Sequence, residues 1–172
     1  GSKFVAKNRT GAAYYLSIEE LAKFNYTDIN RALNKISGIN VYEEDGFGLR
    51  PNISIRGTSP ERSSKIAIME DGVLISPAPY SASSAYYFPS VARMHAVEVL
   101  KGSSQIQYGP YTTGGAINFV STEIPDSFKG KVVSSYGSFN TGQLHSTFGN
   151  QTKNFGYMLE YLNYNSNGFK SL

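Results

Sequence analysis

The sequence predicts an α+β domain over residues 11 to about 122, followed by a run of antiparallel strands. Three observations carry that prediction. Short helix signals stand between short apolar runs, an Asp-Gly pair joins two of those runs, and past Pro125 the texture changes to period-2 alternation without helix caps.

Residues 12–16, with two tyrosines, suit a short strand. Ser17-Ile18-Glu19-Glu20 is a Ser-x-x-Glu capping box ahead of Leu21 and Phe24, so a helix begins there. A second helix opens at Thr27 or Asp28, presents Ile29, Leu33 and Ile36 at i, i+4 and i+7, and stops at Gly38. Residues 39–42 and 53–55 alternate like strands. Residues 66–69 and 73–75 flank Glu70-Asp71-Gly72, and Asp-Gly between apolar runs is a strong hairpin signal. Residues 89–93 fit one helical turn, and 96–100 and 116–120 complete the set of strands.

Beyond Pro125, Leu144, Ser146 and Phe148 share one parity and Gln143, His145 and Thr147 the other. Phe155, Tyr157, Leu159 and Tyr161 alternate in the same way against Met158 and Glu160, with a turn expected over residues 149–154. Segments of about ten residues, apolar on one face and rich in Tyr and Phe, are the signature of outer-membrane barrel strands. An ordinary antiparallel sheet over a soluble core fits these segments equally well.

Composition narrows the function classes. The 172 residues include 13 Tyr and 10 Phe but no Trp, which suits half-wet surfaces where a ring buries and its hydroxyl stays hydrated. A net charge of +3 with Arg62, Lys65, Lys101 and Lys131 scattered argues against a nucleic-acid partner. There is no cysteine, so disulfides and thiolate metal sites are excluded. "GPYTTGG" lacks the Gly-Lys-Ser/Thr ending of a P-loop, and no Gly-x-Ser-x-Gly elbow exists, so enzyme readings fail. Glu43, Glu44 and Asp45 are consecutive and lack the spacing of a cation loop, which makes them a solvated turn. His95 and His145 have no partner at metal-ligand spacing, and His145 falls on the polar parity of its strand.

Read in order, "DINRALNKISGINV", "NISIRG", "IAIMEDGVLISPAPY" and "VEVLKGSSQIQYGPYTTGGAINFVS" precede the alternating strands. This series resembles the plug domain of TonB-dependent outer-membrane receptors, and within them the ferric dicitrate receptor type. The resemblance implies a plug over residues 11–125, with a mixed sheet of about four strands and short helices. Residues 126–172 are then the first strands of a truncated transmembrane β-barrel, and residues 1–10 an extension opening on Gly1-Ser2, an expression scar. It further implies the outer membrane of a Gram-negative bacterium and a ferric chelate such as ferric citrate as cargo, with no resident cofactor. A TonB-type energy-transducing protein would engage a segment upstream of residue 1. Open barrel strands in so short a chain invite self-association.

By the same resemblance Arg56 of "IRG" and Lys101 of "LKG" are lock residues that pair with glutamates on the inner barrel wall. Lysine departs from the usual arginine there and loses the bidentate fork. The loops "GTSPERSS" (57–64), "SPAPYSASSAYYFP" (76–89) and "GPYTTGG" (109–115) are the outward, substrate-facing candidates. Arg62 offers a planar set of donors suited to carboxylates. Tyr80, Ser81, Ser83 and Ser84 offer hydroxyls, and Tyr111, Thr112 and Thr113 project from the third apex. Two alternatives remain: a stand-alone periplasmic ligand- or partner-binding module, and the same receptor with a nickel chelate, another siderophore or a sugar as cargo.

Overall fold

The computed structural model describes residues 12–23, 29–42, 44, 49–75, 87–109 and 112–169. The chain divides into two compact units, Gly1–Thr122 and Glu123–Leu172.

In the first unit, β1 (Ala12–Leu16) leads into α1 (Ile18–Ala22). The capping box forms as expected: the Ser17 hydroxyl accepts the Glu20 N–H at 3.4 Å and the Glu20 carboxylate accepts the Ser17 N–H at 3.0 Å. The second helix, α2, is Ile29–Leu33; its expected opening at Thr27 or Asp28 lies outside the described residues. It tightens at its end, where the Ile36 N–H donates to the Leu33 carbonyl at 2.9 Å, and Gly38 turns the chain at φ +78°. Ile29, Leu33 and Ile36 are all buried, as their spacing requires. Then β2 (Ile39–Tyr42) and β3 (Asn52–Ile55) form a separate antiparallel pair.

The main sheet has the order β1-β6-β7-β4-β5, with β4 Ile66–Glu70, β5 Val73–Leu74, β6 Met94–Lys101 and β7 Gly115–Ser121. It is mixed: β4 and β7 run parallel, and the other neighbours antiparallel. It holds five strands rather than about four because the two-residue β5 folds back along β4 through the Asp71-Gly72 turn. Both turn residues take positive φ, 49° and 81°, the requirement of a type I′ hairpin.

One sheet face carries most of the apolar core. Ile66, Ile68, Val97, Val99, Ile117 and Phe119 pack with Ile29, Leu33, Ile36, Ile53 and Ile55. Each such buried side chain contributes about 1.5–3 kcal/mol. The opposite face is small and partly polar: Ala67, Met69, Leu100 and Ala116 pack with Tyr108. There the Asn118 amide donates to Glu98 at 3.0 Å and its oxygen accepts the Gly72 N–H at 2.8 Å, so a buried carboxylate is satisfied through the hairpin.

The second unit is a three-stranded antiparallel sheet of β8 (Lys129–Gly137), β9 (Thr141–Gln151) and β10 (Gly156–Asn165). Alternation marks β9 and β10 but hides β8, where Val132-Val133 and Ser134-Ser135 repeat one character across both parities. The expected turn at 149–154 is shorter. Strand β9 continues to Gln151, and Thr152 N–H closes on the Phe155 carbonyl at 2.7 Å. Gly149 is a ladder residue, not a turn residue: a Cβ there would lie 2.7 Å from Pro125 Cδ.

Candidate functional site

The strand registers set where the loops lie. Ile66 pairs with Gly115 at the start of β4 and β7, and Leu100 near the end of β6 pairs with Ala116. The Ile75 N–H donates to the Ile68 carbonyl as β5 runs back along β4. The chain therefore enters β4 and β7, and leaves β5 and β6, at one end of the sheet. Loop 57–65, the departure point of the second candidate loop, and the segment at 112–114 share that end. Gly114 fixes the first and third together, because its N–H donates to the Lys65 carbonyl at 2.8 Å and a Cβ on it would meet Thr58 Oγ1 at 2.8 Å.

Loop 57–64 is held by side chains rather than left loose. The Asn52 oxygen accepts the Arg62 N–H at 2.7 Å, and the Asn52 amide donates to Glu44 at 2.9 Å. Ser63, wholly buried, donates its hydroxyl to the Pro51 carbonyl and accepts the Ile53 N–H, both at 2.9 Å. Arg62 and Ser63 sit at φ 48° and 54°, left-handed for two successive non-glycine residues. That conformation costs roughly 1–2 kcal/mol each, and these four hydrogen bonds offset it. Arg62 itself is exposed.

Arg56 and Gly57 form a second tight turn, at φ 55° and 77°, closed by the Thr58 N–H on the Ile55 carbonyl at 3.3 Å. The left-handed backbone is ordinary at Gly57 but is shared by the non-glycine Arg56, which is exposed. Lys101 is 8% exposed and donates to the Ser37 carbonyl at 2.6 Å. Burial, and secondarily the Arg56 guanidinium, hold its pKa below the ordinary lysine value. Two cations are thus brought into each other's field, and among the described residues neither has a carboxylate partner.

Thr112 is 5% exposed, and its hydroxyl donates to the Gly109 carbonyl at 2.8 Å, so it shapes the third turn from inside. Thr113 is exposed. Tyr80, Ser81, Ser83, Ser84 and Tyr111 lie outside the described residues, as do Glu43 and Asp45 of the acidic triplet.

Several polar residues that organise this unit escaped the sequence reading. Asn52 and Ser54 alternate with isoleucines and read as a solvent face, yet every residue of β3 is buried. The available signal was the Pro before Asn52 and the serine cluster nearby, residue types that bind backbone groups locally. Glu70, Arg93 and Tyr87 also meet at the other end of the sheet. Arg93 lies 2.7 Å from Glu70, and the Tyr87 hydroxyl donates to Glu70 at 3.0 Å. Burial, then the Glu70 carboxylate, raises the Tyr87 pKa.

In the second unit the register puts Val132, Tyr136, Leu144, Phe148, Tyr157, Leu159 and Tyr161 on one face, all exposed. The less exposed face is polar, and His145 Nε2 lies there 2.6 Å from Glu160 Oε1. Apolar outward and polar inward is the reverse of a water-soluble sheet and the pattern of a lipid-facing barrel wall.

A small mixed-sheet domain with clustered loops, followed by strands of that kind, has the make-up of a plug with the start of its barrel. Residues 6–116 match the family described as TonB-dependent Receptor Plug Domain, and the chain belongs to that family. Its proteins are receptors and transporters, not enzymes. Among solved structures, the ferric citrate transporter FecA in its unliganded form is 30% identical, with a TM-score of 0.79 over 95% of this chain and 26% of that one. The ferric yersiniabactin uptake receptor FyuA from Yersinia pestis is 22% identical, with a TM-score of 0.65 over 86% and 23%. A mutant of the ferric enterobactin receptor PfeA from Pseudomonas aeruginosa is 19% identical, with a TM-score of 0.68 over 91% and 24%. The last two show the fold alone. This chain spans about a quarter of the length of each of these proteins.

Proposed function

We propose that this chain is the plug, with the opening barrel strands, of an outer-membrane receptor that imports a ferric chelate of the citrate type. The observation that carries the cargo is the 30% identity to a ferric citrate transporter across 95% of the chain. The loop arrangement supports it, since an exposed arginine on a braced loop suits a carboxylate-rich chelate. The iron complex is substrate, and the plug needs no resident cofactor. Arg62, Tyr80, Ser81, Ser83, Tyr111 and Thr112 make up the substrate-facing set, with Thr112 acting through the shape of its turn.

In the same reading Arg56 and Lys101 lock the plug against barrel carboxylates, which would also neutralise two neighbouring cations. A TonB-type protein supplies the energy through a segment ahead of the plug, and the exposed apolar face of β8–β10 contacts lipid. Left without the rest of a barrel, β8 and β10 offer open edges for self-association. The bare apolar face also favours this reading over a stand-alone periplasmic module.

The deciding experiment measures ferric citrate binding by the intact receptor, beside a nickel chelate, a catecholate siderophore and a sugar as competitors. Ferric citrate is expected to bind best, and Arg62→Ala to weaken it about tenfold or more. Undiminished binding by Arg62→Ala would remove Arg62 from the site, and preference for another competitor would reassign the cargo.

A further inference from the structure

The four hydrogen bonds around Arg62 and Ser63 make a connected device. Asn52 is 6% exposed and uses both ends of its amide: its oxygen takes the Arg62 N–H at 2.7 Å and its nitrogen reaches Glu44 at 2.9 Å. Ser63, at 0% exposure, ties the next residue to the same strand at both the Pro51 carbonyl and the Ile53 N–H. A loop that only had to connect β3 to β4 could relax to right-handed backbone or place glycine here. This one keeps two non-glycine residues at φ 48° and 54°, and the first of them, Arg62, is exposed.

We infer that Asn52 and Ser63 are positioning residues that set the aim of the Arg62 guanidinium toward a carboxylate-bearing ligand. They touch no ligand themselves. Glu44 belongs to the device: the acidic residue orients the Asn52 amide so that its oxygen, not its nitrogen, faces Arg62. This inference rests on the receptor reading above, in which Arg62 meets the chelate. It adds the buried residues that give the exposed one its geometry, since a planar fork loses most of its advantage when its direction is free.

A double-mutant cycle in the full-length receptor, with ferric citrate as probe, tests it. Arg62→Ala and Asn52→Ala are each expected to weaken binding about tenfold, and the two together no more than either alone. Amide exchange over residues 57–64, followed without ligand, should quicken in Asn52→Ala. If Arg62→Ala binds like the parent, the receptor reading of Arg62 fails and the inference falls with it. If Arg62→Ala weakens binding while Asn52→Ala does not, or Asn52→Ala weakens it further in the Arg62→Ala background, only the positioning role fails.

A second variant covers loss of folding. Asn52→Asp keeps an oxygen for the Arg62 N–H but sets a carboxylate against Glu44. Adding Glu44→Gln moves the donor to the other side of the same bond. Binding should stay low in Asn52→Asp alone and return to within about twofold of the parent in the pair. Failure of that rescue in a folded receptor overturns the role of Glu44 and Asn52 as one unit.

Discussion

The two units use their apolar residues in opposite ways. Among the described residues of Gly1–Thr122 the strands of the sheet and the β2–β3 pair turn most of theirs inward, and Ile53, Ile55, Ile66, Ile68, Ile117 and Phe119 are all fully buried. In Glu123–Leu172 they turn outward, with Val132 60%, Leu159 67% and Tyr136 78% exposed. Hydrophobic burial in water can hold the first unit together; the second draws on ladder hydrogen bonds and awaits a different solvent. A single rule, apolar atoms leaving water, yields a core in one, and in the proposed receptor it would yield a lipid-facing wall in the other.

The comparison breaks most sharply at matched truncations. Phe119 is wholly buried and meets Phe88 edge-on at 5.2 Å, so Phe119→Ala should destabilise the first unit by about 3–5 kcal/mol. Leu159→Ala should change stability in water by no more than about 0.5 kcal/mol. Denaturant titrations of both variants check this. A large loss from Leu159→Ala in water would mean that its face is covered after all.

Leu159→Arg sharpens the same contrast. In the full-length receptor folded into bilayers it should cost about 2–4 kcal/mol near the bilayer midplane, falling toward zero at the interfaces. In water the same substitution should be nearly silent. An equal cost in both solvents would remove the lipid-facing assignment.

Smaller still is the cap. Ser17→Ala removes the acceptor for the Glu20 N–H, and about 0.5–2 kcal/mol should go with it, read as lower stability of the first unit only. This element was fully legible in the sequence, because a capping box is a local arrangement written in four adjacent residues. The Asp71-Gly72 hairpin was legible for the same reason. The clamp at Asn52 was not: its partners Glu44 and Arg62 lie eight and ten residues away, and an Asn-Ile-Ser-Ile pattern looks like a half-exposed strand. Whether β3 is covered on both faces depends on the helices and sheet packed around it. Strand β8 was hidden for another reason, since its doubled valines and serines erase the parity that marks a half-buried strand. Of the candidate site, the motifs marked which loops and which cations to follow, whereas the hydrogen-bonded geometry around Arg62 emerged only from tertiary contacts.

The finest test concerns Lys101, where the comparison turns on what a barrel would add. Burial and Arg56 depress its pKa in this chain, so the native state sheds that proton more readily than the unfolded chain does. The unfolded state then binds more protons, and stability rises with pH from the depressed value up to the ordinary lysine value of about 10.4. Below that window the native state bears the full cost of a buried ammonium. Tyr87 opposes the trend: its raised pKa gives stability that is present below the ordinary tyrosine value and lost as pH climbs through the raised one. Lys101→Met should therefore abolish the alkaline gain, and Tyr87→Phe should expose it. In a full-length receptor, a wall carboxylate beside Lys101 would favour the ammonium and raise its pKa again. The gain should then vanish or reverse without any substitution in the plug. An alkaline gain of equal size in chain and receptor would show that no carboxylate reaches Lys101, and the second half of the lock would have to be abandoned.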